Sequence, residues 1–337
     1  MKREAFVKIT LAIIGLGQIG SSFGLALAEH RDKVRRIGFD ADLPTGNQAR
    51  KIGAVDEAAF LLRDAVKQAD AVLLSIPLQK VEEALQDVAA HMRPGTVLMD
   101  TAPLKMQVAR WAAEHLPEGC SYVGLTPVVG PKYLQVGERG VEAAHADLFQ
   151  NSVIAISSPP GSGSQGIRLA ADLIRLTGAE ALFADQAEID GLMTATHFAP
   201  QFLAAALLNA TVDQPGWREA RKLAGRAYAE VSGPIEHYGD PEELTLAARL
   251  NRENTLRVLG SMIASLQTLY NDIQSEDYQA LSERLARARK GRDRWWHERQ
   301  QADGAGKGRP DAGVSGVLRD FLRPGMRRRQ SRNDERD

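Results

Sequence analysis

Up to about residue 185 the chain alternates short apolar runs with amphipathic stretches, and beyond it apolar positions recur only at helical spacing. Val7–Ile14, Arg35–Phe39, Ala71–Ile76, Thr96–Met99, Tyr122–Leu125, Val153–Ser157 and Ala181–Ala184 are mostly continuous in apolar residues. That is the pattern of strands buried on both faces rather than on one. Between them helices are predicted over Ser21–Glu29 and near 45–52, 57–67, 79–91, 104–116 and 165–177. Strand–helix alternation of this kind builds an α/β fold, a doubly wound (Rossmann-like), mostly parallel sheet covered on both sides. Residues 1–185 are therefore expected to form one domain. Residues 186–301 form a second, all-helical one, with helices at 186–212, 216–230, 240–272 and 275–301. Leu246, Leu250, Leu256, Leu259, Ile263, Leu266, Leu269 and Ile273 make a long apolar stripe in this region. Such a stripe needs a partner, and a homodimer is the expectation.

The turn between the first strand and the first helix reads Gly15-Leu16-Gly17-Gln18-Ile19-Gly20, and Asp40 closes the second strand twenty residues further on. In this strand–turn–helix–strand context the spacing is that of a dinucleotide-binding fingerprint. Gly15 turns the chain tightly out of the strand. Gly17 carries no side chain to hold a pyrophosphate away from the backbone, and Gly20 lets helix and sheet approach. The helix start offers N–H groups and a partial positive charge to phosphate. Asp40 is placed to accept hydrogen bonds from ribose hydroxyls and would repel a 2′-phosphate, which favours NAD over NADP. Pro77, Pro103 and Pro127 each follow a strand end, on the crevice side of such a sheet, so the loops holding them are where chemistry is expected.

Composition adds boundaries. The 337 residues include 42 Lys+Arg and 43 Asp+Glu, a net charge of −1, so nothing global argues for nucleic acid or an anionic membrane. No run of eighteen apolar residues is present, and Gly15, Gln18 and Ser21 interrupt the N-terminal apolar stretch, so neither a membrane span nor a secretion signal is expected. The single cysteine, Cys120, excludes an internal disulfide; it is read as a buried inert thiol, and the chain as cytoplasmic. No zinc-type spacing occurs, so no metal is expected. Residues 302–337 turn polar, with Arg327-Arg328-Arg329, and read as a flexible tail.

The chain resembles the prephenate/arogenate dehydrogenases, NAD(P)-dependent enzymes of tyrosine biosynthesis, over roughly residues 8–300. The resemblance rests on the glycine turn with Asp40, on Ala69–Pro77 (including Ser75 and Pro77, assigned to coenzyme), and on Asp100 with Lys105. It continues in Gly140–Phe149, in Pro200 with Leu203–Leu207, and in Leu250-Asn251-Arg252-Glu253-Asn254. It implies hydride transfer from a carboxylated cyclohexadienol to NAD, with loss of carbon dioxide as the ring becomes aromatic. That reaction needs an acceptor for the hydroxyl proton and groups that hold carboxylates.

Most of the family's substrate-facing positions differ here. Its His-Pro-(Met/Ile)-Ala-Gly segment reads Thr126-Pro127-Val128-Val129-Gly130, so Thr126 replaces the key histidine, and Pro103 replaces a serine before Lys105. Its Ser-His-Leu-Pro-His pattern becomes His197-Phe198-Ala199-Pro200-Gln201. The substrate-binding arginine aligns near Tyr228, with Arg226 two positions away, and Lys132 or Glu138 stands at a glutamate. The resemblance thus assigns the catalytic positions to His197 (as base), Lys105 and Thr126, and substrate contacts to Gln201, Arg226, Tyr228 and Lys132. Asp190, Met193, His197 and Gln201 share a helical face by spacing, and Pro200 should kink that helix. Two alternatives stay open: a dehydrogenase for another carboxylated alcohol or imine, and a non-catalytic NAD-binding dimer.

Overall fold

The computed structural model describes residues 8–135, 139–237 and 240–301. Eight strands form one sheet in the order β3-β2-β1-β4-β5-β6-β7-β8. They are β1 (Ile9–Ile14), β2 (Val34–Phe39), β3 (Glu57–Ala58), β4 (Ala71–Leu74), β5 (Val97–Asp100), β6 (Ser121–Pro127), β7 (Val153–Ser157) and β8 (Glu180–Phe183). β1 to β6 are parallel. The order reverses between β1 and β4, and a crevice opens at the carboxyl ends of those two strands. β7 lies antiparallel beside β6 because the chain returns from the crevice side without a crossover, and β8 is again parallel to β7.

The strands alternate two apolar sets. Leu11, Ile13, Leu73, Met99, Val123 and Leu125 face one layer of helices. Ala12, Ile14, Val72, Leu74 and Leu98 face the other. The covering helices are α1 (Gln18–Ala26), α2 (Leu43–Lys51), α3 (Leu62–Val66), α4 (Val81–Ala89), α5 (Lys105–His115) and α6 (Ser164–Leu176). One expected helix is largely replaced: over 57–67 only α3 is helical, and Glu57–Ala58 pairs with Ile37–Gly38 at the sheet edge. The Glu-Ala-Ala sequence favours a helix, but the open edge of β2 offers it ladder partners, and tertiary context overrides propensity. Cys120 is half-buried rather than buried; its Sγ donates to the Arg93 carbonyl at 3.2 Å, and burial pushes the thiol pKa up.

The remainder is helical: α7 (Gln186–Met193), a π-helical turn (Thr194–Phe198), α8 (Ala199–Thr211), α9 (Trp217–Leu223), α10 (Arg226–Ser232), α11 (Pro241–Leu250), α12 (Arg252–Gln274) and α13 (Tyr278–Gln301). The kink expected at Pro200 takes the form of the π turn, in which the Ala199 N–H reaches back to the Thr194 carbonyl. The His197 carbonyl receives Gln201 Nε2 at 2.8 Å. The run from α7 to α8 is long and apolar enough on average for a membrane span. Only 28% of that apolar window is buried, but Asp190, Thr194 and Gln201 within it are buried and hydrogen-bonded inside the protein. The stripe over 240–272 is interrupted at Asn251, whose Nδ2 donates to the Asp190 carbonyl (3.0 Å) and Thr194 Oγ1 (2.7 Å).

Candidate functional site

The glycine turn lies at the tip of β1. Gly15 has φ +92°, a conformation that glycine adopts at little cost and residues with a Cβ rarely do. A Cβ there would strike the Ser75 carbonyl oxygen, and one on Gly20 would strike the Gly15 carbonyl. At Gly17, by contrast, a Cβ would meet nothing within 4 Å, so the space over the turn is open. Gly17 is the N-cap of α1, and no side chain caps the helix there. A nine-residue helix thus presents its first N–H groups to that space.

Asp40 stands at the end of β2, beside the turn. Its Oδ2 accepts the Leu16 N–H at 2.7 Å and its Oδ1 the Asp42 N–H at 2.9 Å. Each oxygen keeps a lone pair for a ribose hydroxyl. Ser75 packs on Gly15 and Gly20 and lies 3.2 Å from Thr101 Oγ1; Pro77 is exposed at the mouth of the crevice. Gln18 Nε2 donates to the Ala143 carbonyl at 3.2 Å, and Ser22 Oγ accepts the His145 N–H, so the segment around 141–145 straps the start of α1. Ile19 is partly buried against the apolar core beneath. The residues present fit a dinucleotide: open space, unpaired donors and an acid at the ribose end.

Lys105 has a different setting from a substrate contact. It is fully buried at the start of α5, with Nζ 2.8 Å from Asp100 Oδ1 and 3.3 Å from the Asp100 carbonyl. Tyr122 donates its hydroxyl to Asp100 Oδ2 at 2.7 Å. Asp190, from α7, accepts the Lys105 N–H (2.6 Å) and the Met106 N–H (3.2 Å), and so caps α5 from across the fold. Burial pulls the Lys105 pKa down against the opposing charge of Asp100, and pushes Asp190 and Tyr122 up. The geometry is that of a group positioning α5 and α7, with the ammonium turned inward.

Thr126, next to last in β6, is on the same face as Tyr122 and is 5% exposed. Its Oγ1, the neighbouring Ser157 Oγ and Gln201 Oε1 are buried polar atoms without a hydrogen-bond partner among the described residues. Buried polar atoms are ordinarily paired, so each is a candidate to bind a ligand or water. His197 is half-buried in the π turn, its ring edge-on to Phe198. The other expected contacts are less central. Lys132 is exposed and its Nζ is 2.8 Å from Asp147, which pulls its pKa up. Arg226 is exposed at the start of α10, and the Tyr228 hydroxyl is 2.8 Å from Thr211 Oγ1, a bond between α10 and α8. Glu138 lies outside the described residues.

Sequence reasoning missed Glu243, whose carboxylate accepts the Leu78 N–H at 2.9 Å. In the sequence it is one of two acids after Asp240-Pro241, and an acid in a helix's first turn is explained by its own helix. The tie to Leu78, from far along the chain, leaves no local signal.

A family profile described as "Prephenate dehydrogenase, nucleotide-binding domain" matches residues 23–182, starting just after the glycine turn. The chain is similar to a prephenate dehydrogenase of Bacillus subtilis, 27% identical over 206 residues that cover 61% of this chain and 54% of that protein. It thus spans about half the length of that relative. It is also similar to a cyclohexadienyl dehydrogenase of Zymomonas mobilis, 25% identical over 84% of this chain and 94% of the relative. Among solved structures, the prephenate dehydrogenase of A. aeolicus in complex with hydroxyphenyl propionate and NAD+ shares the fold. Its TM-score is 0.75 with 18% identity, over 86% of this chain and 99% of that one. The glycine turn, the strand order and these matches together make the chain similar to the prephenate/arogenate dehydrogenases, with the family's nucleotide-binding domain matched over residues 23–182.

Proposed function

We propose that this protein is an NAD-dependent dehydrogenase that oxidises prephenate or a close carboxylated cyclohexadienol with decarboxylation. The observation that carries the reading is the pairing of open space above Gly17 with the Asp40 carboxylate pinned at 2.7 Å on the turn. Phosphates have donors there, and an adenosine ribose has an acceptor. A 2′-phosphate would meet Asp40 and Asp42 together, hence NAD rather than NADP. The likeness to the Zymomonas relative over most of both chains supports the cyclohexadienyl substrate class. NAD supplies the hydride acceptor when bound; the remaining work falls to side chains of this chain.

His197 is the proposed proton acceptor for the ring hydroxyl, since an imidazole titrates near neutrality and Thr126 does not. Thr126 Oγ1 and Gln201 Oε1 then orient the substrate by hydrogen bonds, with Arg226 and Tyr228 proposed as further substrate contacts. Lys105 and Lys132 position their surroundings through Asp100 and Asp147. The turnover test uses prephenate and arogenate with NAD and with NADP. Reduction of NAD by wild type, and its loss in His197→Ala, is expected. No reduction with either substrate sinks the dehydrogenase reading, and full activity in His197→Ala sinks the base assignment alone.

The same reading includes a homodimer in the cytoplasm. Leu256, Ile263, Leu266, Tyr270 and Ile273 of α12 are each more than half exposed on one chain and recur at helical spacing. A second copy would bury that stripe against its own equivalent.

A further inference from the structure

The loop that leaves β4 is gripped from both sides. On one side Ser75 and Ile76 press on the glycine turn, filling the volume that side chains at Gly15 and Gly20 would need. On the other, Leu78 opens the short 3-10 turn Leu78–Lys80 that leads into α4, and a residue in that position has an N–H with no partner inside its own turn. Glu243 Oε1, from the first turn of α11, accepts it at 2.9 Å. Glu243 is 7% exposed, and Leu78 1%. Beside them the longer contact of Gln79 Nε2 with Asp240 Oδ2, 3.4 Å, is at the surface. A buried carboxylate of the helical region thus holds this loop at Leu78, three residues past the serine that abuts the turn.

We propose that Glu243 is a positioning residue for the dinucleotide, holding the 75–78 loop against the glycine turn so that the crevice keeps the width a nicotinamide nucleotide requires. The inference rests on the reading of that crevice as the NAD site. Without the carboxylate, a buried N–H is left unmade, a loss that the loop relieves by shifting toward water. The shift would be felt at Ser75 and hence at Gly15. A role confined to anchoring α11 would act differently, since α11 is also held by Leu244, Leu246, Ala247 and Leu250 in the core.

The test is calorimetric titration of the full chain with NAD, without substrate, alongside thermal unfolding. Glu243→Ala is expected to raise the Kd for NAD about tenfold, the worth of a hydrogen bond to a charged group. Glu243→Gln, which keeps an acceptor oxygen, is expected to stay within about twofold of wild type. Leu246→Ala is expected to lower the Tm while leaving the Kd unchanged. Should Glu243→Ala not fold, Glu243→Asp, one methylene short of Leu78, takes its place with the same expectation. A Kd within twofold of wild type in the Ala (or Asp) variant overturns the proposal while the NAD reading stands. So does an equal rise in Leu246→Ala, or a glutamine variant as weak as alanine. Wild type that gives no heat with NAD overturns both.

Discussion

Replacing Lys105 with methionine removes the ammonium from a pair in which neither side chain reaches solvent, with exposures of 0% for Lys105 and 1% for Asp100. Methionine fills nearly the same volume, so the change is electrostatic rather than a cavity. Asp100 would retain the Tyr122 hydroxyl at 2.7 Å and the Ala102 N–H at 2.8 Å, but its charge would have no counter-ion in contact. Breaking a buried pair from one side costs about 3–5 kcal/mol, against a total domain stability of about 5–15 kcal/mol. Asp190 also loses a favourable charge nearby, which adds to the loss. Neutralising the stranded acid as well, in Lys105→Met/Asp100→Asn, should recover most of it, because the penalty lies in the orphaned charge and not in the missing pair. Urea unfolding of the four members of this double-mutant cycle reads the coupling directly. A Lys105→Met protein as stable as wild type, whose only defect is a raised KM for substrate, would refute the reasoning and put the ammonium in the crevice.

The two glycines of the turn should separate binding from folding. Gly17→Val, in open space, keeps the wild-type Tm but loses NAD binding, whereas Gly20→Ala drives a methyl into the Gly15 carbonyl and lowers the Tm; equal Tm losses would contradict this. Burial holds the carboxyls of Asp190 and Glu243 above their ordinary pKa. The folded chain therefore keeps these protons to higher pH than the unfolded one, and their contribution to stability is greatest below the ordinary carboxylate range and fades as pH rises through the raised values. Glu243→Gln should flatten that part of the stability–pH curve and leave the neutral-pH Tm equal or higher; a steeper curve would speak against it. Leu266→Asp on the exposed α12 stripe should give a monomer in sedimentation, and a wild type already monomeric at micromolar concentration would remove the dimer.

Much of the sheet was legible because strands buried on both faces must be apolar throughout, and the glycine turn because its geometry admits few residues. Ile14, Gly15 and Asp40 state their places in the sequence itself. The fate of Glu57–Ala58 was not legible, since pairing at an edge depends on β2 lying beside it. The same holds for the inward turn of Lys105. Its motif suggested a ligand, yet the ammonium's direction is set by Asp100 and by the space at Gly124, where a side chain would overlap the lysine stem. Pro200 announced a break in the helix, and the π turn that resolves it came from the bonds available to Ala199 and Gln201. Glu243 was hidden for a plainer reason: its partner lies in another layer.

The first βα corner is tested most directly by the affinity of the purified chain for NAD and for NADP, side by side. NAD should bind, with NADP weaker by at least tenfold, and Asp40→Asn should narrow that gap from the NADP side. Equal affinity for the two would contradict the place given to Asp40, and binding of neither would contradict the site itself.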